Sequence, residues 1–313
     1  MKDDESAKLI QRVNWDKHAI YLAKPSFQYE LQHELKDIQT IINNLFIAKK
    51  DQEPVFALDI WKNPQLLPID SINDAVKKLK ALQSYWYPYP ELYARRTLLI
   101  AENFPYYKNL KNLSFPCPSI PSLGVFTLLT PTNLIYATKR SKLVPNGCYS
   151  FKEDKINPPN RAYLKLWEAL AILNRYPKAN EFALDLGASP GGWTYVLQQL
   201  GVKVLAIDKA PLAENIAKLS GVTTKLTSAF SLKPQDFDSI DWLVADIACY
   251  PKRLYQWLIP WLESGKVTQF IITIKLQGKT DFESIQLFQA IHNSKVLHLF
   301  HNKHEVTFFY PSP

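Results

Sequence analysis

The run Asp185-Leu186-Gly187-Ala188-Ser189-Pro190-Gly191-Gly192-Trp193-Thr194 holds three of the nine glycines in a chain of 313 residues. Phe182-Ala183-Leu184 before it reads as a short buried strand. After it, Trp193, Val196, Leu197 and Leu200 fall at i, i+3, i+4, i+7, which is a helix face, and Gly201 suits the position just past the helix end. The segment is therefore strand, glycine-rich loop, helix. Glycines in such a loop let backbone approach a ligand closely, and the helix N-terminus offers unpaired N–H groups.

The same alternation continues outward. Strands are expected over 202–207, 222–226, 240–245 and 270–274, with helices over 212–219, 251–262 (bent by Pro260) and 282–292. Two last strands, 296–300 and 306–310, are joined by a short polar turn. Upstream, Asn160 is placed to cap a helix over 161–174, whose apolar stripe is Tyr163, Leu166, Trp167, Leu170 and Leu173. Lys165 lies beside that stripe, a short shift from a site edge. The pattern implies an α/β doubly wound sheet with a terminal antiparallel hairpin. Ligands bind such sheets outside the carboxyl ends of the strands. Four strands here end in the glycine loop or in an ionisable residue: Asp185, Asp208, Asp246 and Lys275.

Asp208 ends the strand after the loop, where a carboxylate can accept both hydrogen bonds of a ribose diol. That suits NAD or S-adenosylmethionine. The dinucleotide fingerprint G-x-G-x-x-G is absent, because the glycines are Gly187, Gly191 and Gly192, with Pro190 stiffening the turn. Asp185 adds negative charge at the loop entrance, which is unhelpful to phosphate and useful near an ammonium or sulfonium. The spacing therefore favours S-adenosylmethionine.

Composition points the same way. The formal charge is +8 and the pI near 9.1, with the excess shared by both halves of the chain. Together with 16 Tyr, 16 Phe and 8 Trp, this suits a polyanion whose bases can stack. Cys117, Cys148 and Cys249 are far apart, and no Cys or His pair has metal-ligand spacing, so neither zinc nor a disulfide framework is expected. The charged start Met1-Lys2-Asp3-Asp4-Glu5 is unlike a signal peptide, and no apolar run approaches ~18 residues. No membrane partner and a cytoplasmic location are expected; composition does not resolve the oligomeric state. The front of the chain reads as a small α+β domain over 1–145, with strands over 18–24, 55–60 and 97–101 and a hairpin over 125–138. Helices are expected after Pro25 and after a Ser71 cap. Lys77-Lys78-Lys80 and Arg95-Arg96 are its basic runs, solvated faces or RNA contacts. Residues 146–160 read as a linker, and 161–313 as the ligand-binding domain.

The loop resembles that of the FtsJ-type ribose 2′-O-methyltransferases. That family carries a Lys-Asp-Lys-Glu tetrad, and its members match Lys165 in Tyr163-Leu164-Lys165-Leu166, Asp246 in Val244-Ala245-Asp246, Lys275 in Ile274-Lys275-Leu276 and Glu305 in Glu305-Val306-Thr307. The His301-Asn302-Lys303-His304 approach to Glu305 is most similar to members acting on a cytidine of 23S rRNA, which carry a THUMP-like, RNA-holding front domain. The resemblance implies a Rossmann-like methyltransferase sheet with Lys165, Asp246, Lys275 and Glu305 as catalytic residues. It assigns the cofactor to Asp185, Gly187, Ser189, Pro190, Gly191, Gly192, Trp193, Asp208, Ser228 and Asp246. One departure stands out. The family places an acid near the adenine amino group, where this chain has Leu226-Thr227-Ser228-Ala229-Phe230, so Ser228 is the stand-in.

Lys275 is the base or steering group for the ribose hydroxyl; as a base it needs burial or a neighbouring cation such as Lys165. Asp246 orients it, and Glu305 fixes the far side of the lysine pair. Two alternatives stay open: a non-catalytic RNA-binding module that kept the fold, and a 2′-O-methyltransferase acting on tRNA or an mRNA cap.

Overall fold

The structure, a computed structural model, describes residues 13–105 and 112–313. The charged start at Met1–Glu5 lies outside them. The chain divides into two compact units after Phe151.

Among the described residues the first unit has two sheets. The strands are β1 His18–Ala23, β2 Ile38–Ile42, β3 Leu45–Lys49, β4 Ala57–Lys62, β5 Gln65–Pro68, β6 Trp86–Pro88, β7 Gly124–Thr130, β8 Asn133–Ala137 and β9 Lys139–Arg140. One sheet runs β2-β3-β1-β4-β9, antiparallel throughout; the other runs β5-β8-β7-β6, with β6 parallel to β7. Helix α1 (Gln28–Glu34) follows the turn begun by Pro25. Helix α2 (Ile72–Leu82) starts where the Ser71 hydroxyl accepts the Asp74 N–H. Helix α3 spans Ala94–Ala101, so the strand expected over 97–101 is a helix. Thr97, Ile100 and Ala101 recur at helical spacing and are buried, the last two in one cluster with Trp86, Phe126 and Leu79, while Leu99 is exposed. A continuous apolar run of this length hides such a stripe, because strand and helix read alike over five residues.

The polar stretch 146–160 is divided between the units by hydrogen bonding. Cys148 N–H bonds Pro145 O and Leu113 N–H bonds Ser150 O in the first, while Asp154 accepts from Ile156 N, Asn157 N and Tyr195 Oη in the second.

The second unit comprises β10 Phe182–Leu186, β11 Lys203–Asp208, β12 Val222–Leu226, β13 Ile240–Ala245, β14 Val267–Lys275, β15 Lys295–Leu297 and β16 Glu305–Tyr310, and helices α4 Tyr163–Leu173, α5 Gly192–Gln199, α6 Glu214–Ala217, α7 Pro251–Glu263 and α8 Phe282–Gln289. Its sheet order is β12-β11-β10-β13-β14-β16-β15. The first five strands are parallel, and β16 runs antiparallel to both β14 and β15. The chain builds outward from β10 through β11 and β12, then returns to β10's other side as β13. The order therefore reverses between β10 and β13, which is where such sheets bind ligands. Parallel strands covered on both faces must be apolar throughout, as Leu184, Leu243, Val244, Ile271 and Ile272 are. Helix α5 ends as its sequence implies, with Gly201 at φ +81 donating to Gln198 O. Helix α6 is shorter than the 212–219 expected: Pro211 precedes it, and only Ile216 of its side chains is buried.

Candidate active site

The glycine loop is held from below. Asp185 at the end of β10 is buried, and its Oδ2 accepts the Thr194 hydroxyl of α5 at 2.6 Å, tying strand to helix. Its charge is thus turned into the fold and does not line the cleft. Burial pushes the Asp185 carboxyl up to about 7, against the Thr194 bond and with help from Asp246 and Asp208. Between the ordinary carboxylate value and about 7, the folded state then holds a proton that the unfolded state lacks. Stability falls as pH rises through that window, and the full cost persists above it. Asp185→Asn keeps an acceptor for Thr194 and removes the charge. It is expected to exceed the parent in stability by a few kcal/mol at pH 8, at ~1.4 kcal/mol per pKa unit. Denaturant unfolding at several pH values should show that gain shrinking towards pH 4.

The glycines serve different contacts. A Cβ on Gly187, at φ +72, would press on the Asp246 carbonyl at 3.1 Å, so Gly187 lets the β10 and β13 ends lie side by side. Gly191, at φ +115, faces Ile216 of α6, where a Cβ would come within 2.8 Å of the side chain. Gly192 faces the Asn160 amide oxygen. That oxygen also accepts Ala162 N–H, so Asn160 caps the turn into α4, which begins at Tyr163. Trp193 is buried between α5 and α4, its indole N–H bonding Ala162 O and its ring 6.0 Å from Lys165 Nζ.

That packing aims Lys165. Its Nζ lies 2.6 Å from Asp246 Oδ2 and 3.1 Å from Glu305 Oε1. Lys275 Nζ lies 3.0 Å from Asp246 Oδ1. Lys275 and Glu305 are direct cross-strand partners on β14 and β16, so the sheet register itself sets their positions. The four residues therefore form one chain of ion pairs, Glu305 to Lys165 to Asp246 to Lys275. Burial alone would raise the Asp246 carboxyl; the two ammoniums outweigh it and hold it below the usual carboxylate range.

A cleft of about 480 Å³ opens beside this chain, at the carboxyl edge of the sheet. Gly187, Ser189, Asp208, Ser228, Asp246 and Lys275 line it. Pro190, Gly191, Gly192, Trp193, Lys165 and Glu305 are not among its lining residues. Asp208 is anchored through Oδ2 to Ser189 N–H and through Oδ1 to Ala210 N–H, leaving further lone pairs for a ligand. Thr227, Ala229 and Phe230, which follow β12, and Arg253 of α7 line it as well. Ser228 Oγ already accepts Phe230 N–H.

One residue near the site has no motif to mark it in the sequence. Glu168 sits one turn after Lys165 on α4 and is buried, with its carboxylate accepting Phe300 N–H and His301 N–H and lying 2.8 Å from His301 Nδ1. Asn302 Oδ1 takes Leu299 N–H and the Thr307 hydroxyl, and Asn302 Nδ2 donates to Glu305 at 3.4 Å. The segment before β16 is thus pinned to the helix that carries Lys165. The signal was a lone carboxylate inside the apolar run Leu164-Leu166-Trp167-Ala169-Leu170. Among the described residues, no group of His, Cys, Asp and Glu has the arrangement of a metal site, and no helix is long and apolar enough to cross a membrane.

Residues 158–309 match the sequence profile of the FtsJ-like methyltransferase domains. Such domains use S-adenosylmethionine, and the cleft fits that cofactor: Asp208 offers acceptors for a diol, and the wall bearing Asp246 suits a cationic sulfur. The chain is 35% identical over 161 residues to the ribosomal RNA large subunit methyltransferase M of Halorhodospira halophila, covering 49% of this chain and 47% of that one. It is 32% identical over 169 residues to the protein of the same name from Pasteurella multocida, covering 49% and 46%. The chain thus matches about half the length of these curated relatives. A fibrillarin from Aeropyrum pernix, solved with natively bound S-adenosyl-L-methionine, overlaps 45% of this chain and 72% of its own at 17% identity and a TM-score of 0.35.

Proposed function

We propose that this chain methylates the 2′-hydroxyl of an RNA ribose, with a cytidine of 23S rRNA as its target. The observation that carries the reading is the ion-pair chain Glu305-Lys165-Asp246-Lys275 beside the cleft. S-adenosylmethionine supplies the methyl group when bound, with Gly187, Ser189, Asp208, Ser228 and Asp246 as its holders. A ribose hydroxyl is a poor nucleophile, so it has to be aligned and relieved of its proton as the C–O bond forms. Lys275 lines the cleft and does that work as base or steering group. Its pairing with Asp246 keeps Nζ at a fixed place, which supports steering. Asp246 and Glu305 hold Lys165 in turn, and Glu168 keeps the segment before Glu305 in register. The names of the relatives support rRNA over tRNA or an mRNA cap, and the intact tetrad weighs against a non-catalytic RNA-binding module. On the same reading the first unit is a THUMP-like domain that holds RNA, and the protein works in the cytoplasm.

The test is transfer of label from methyl-tritiated S-adenosylmethionine to protein-free 23S rRNA by the purified chain, beside calorimetric titration with the cofactor. Heat of binding and RNA-borne label are expected. No heat at high micromolar cofactor would contradict the methyltransferase reading.

A further inference from the structure

The start of α7 carries side chains that methyl transfer does not use. Tyr250, the residue preceding α7, is 67% exposed. In the chain it lies between Ala248 and Arg253, both of which line the cleft, so its backbone runs beside the cleft. The charges of Arg253 and Lys275 both reach Cys249, so this stretch runs close to both cations. Arg253, one helical position past Lys252, lines the cleft as well, and its guanidinium lies 4.2 Å over the centroid of the Phe230 ring. A guanidinium held over a ring still has N–H donors to give, and a phosphate matches their fork. Lys252 and Lys209 are exposed nearby in the chain and on the cleft wall, respectively.

An exposed aromatic ring offers a face on which a base can stack while cations take the phosphates. We propose that Tyr250 and Arg253 form a lip that grips unpaired RNA beside the target nucleotide: a neighbouring base stacks on Tyr250, and Arg253 takes the adjoining phosphate. Paired bases have no face to offer such a ring, so the target must lie in a single-stranded or opened segment. The inference rests on the reading of the chain as an RNA methyltransferase.

The experiment measures binding of a short fluorescein-labelled single-stranded oligoribonucleotide, and of its duplex, to the full chain and its variants. Tyr250→Ala is expected to weaken single-strand binding about tenfold or more, and Tyr250→Phe to preserve it, as base–aromatic stacking requires. The duplex should show no dependence on Tyr250. Arg253→Ala should flatten the slope of log affinity against log salt by about 0.7, one phosphate contact. Calorimetry should find the cofactor affinity of Tyr250→Ala unchanged. Wild-type oligonucleotide affinity in Tyr250→Ala would overturn the proposal, as would an equal loss for the duplex or an equal loss of cofactor affinity. Binding needs no turnover. Failure of the wild-type protein to methylate any RNA would therefore count against the proposed function alone and be told apart from failure of the lip.

Discussion

Lys275→Ala is expected to lower the rate of methyl transfer by ~10³-fold, within the range for losing a positioned acid–base or steering group. That corresponds to about 4 kcal/mol of transition-state stabilisation at ~1.4 kcal/mol per tenfold. The expectation follows from where the side chain stands. The β14–β16 register places Lys275 opposite Glu305, Asp246 Oδ1 holds its Nζ at 3.0 Å, and about a third of the side chain remains open. It therefore has a fixed origin and free access to a ligand in the cleft. The truncated variant leaves Asp246 paired with Lys165, so the fold should lose little, and cofactor affinity should stay within about threefold, since the lost charge is a cation beside a cationic sulfur. Single-turnover rates read beside calorimetric affinities separate the two effects. Turnover retained in Lys275→Ala would remove its assigned role.

Asp246→Ala is the second large effect, and it strikes stability as well as rate. Asp246 is the shared anion of two ammoniums, and Lys165, buried to 9% exposure, keeps Glu305 as its one carboxylate partner once it is gone. Removing one partner of a buried pair costs about 3–5 kcal/mol, because the remaining charge is left uncompensated. A fall in melting temperature on the order of 10 °C should follow for a unit of this size. The pH dependence has a definite sign. The folded Asp246 carboxyl is held below its unfolded value, so its contribution is complete above the ordinary carboxylate range and disappears as pH falls through the lowered value. The deficit of Asp246→Ala against the parent should therefore be full at neutral pH and narrow in acid. Adding Lys165→Met to Asp246→Ala should restore part of the stability and none of the methyl transfer. A double variant as unstable as the single one would show that the stranded ammonium is not the cause.

The residues that sit at strand ends were legible in the sequence, because period and position are fixed together: a strand that ends in Asp208, Asp246 or Lys275 delivers that side chain to the same edge. Lys165 was harder, since a helix can rotate, and its aim depends on Trp193 bonding Ala162 O across to α4. Asp185 was legible as a loop residue but not as a buried anchor, because only the fold shows Thr194 turning its carboxyl inward. The Glu168 contact with residues 300 and 301 joins positions far apart in the chain, and no local pattern encodes such a pair. Helix α3 looks like a strand in the sequence for the opposite reason, a local pattern too short to carry a period.

The most direct measurement maps the methyl groups at nucleotide level in 23S rRNA from cells with the chain intact, deleted and replaced by Lys275→Ala. A single 2′-O-methylcytidine that is present with the intact chain and absent in the other two is the expected result. Ribose methylation unchanged by deletion, or a lost mark that lies on a base, would contradict ribose 2′-O-methylation by the Lys165-Asp246-Lys275-Glu305 site.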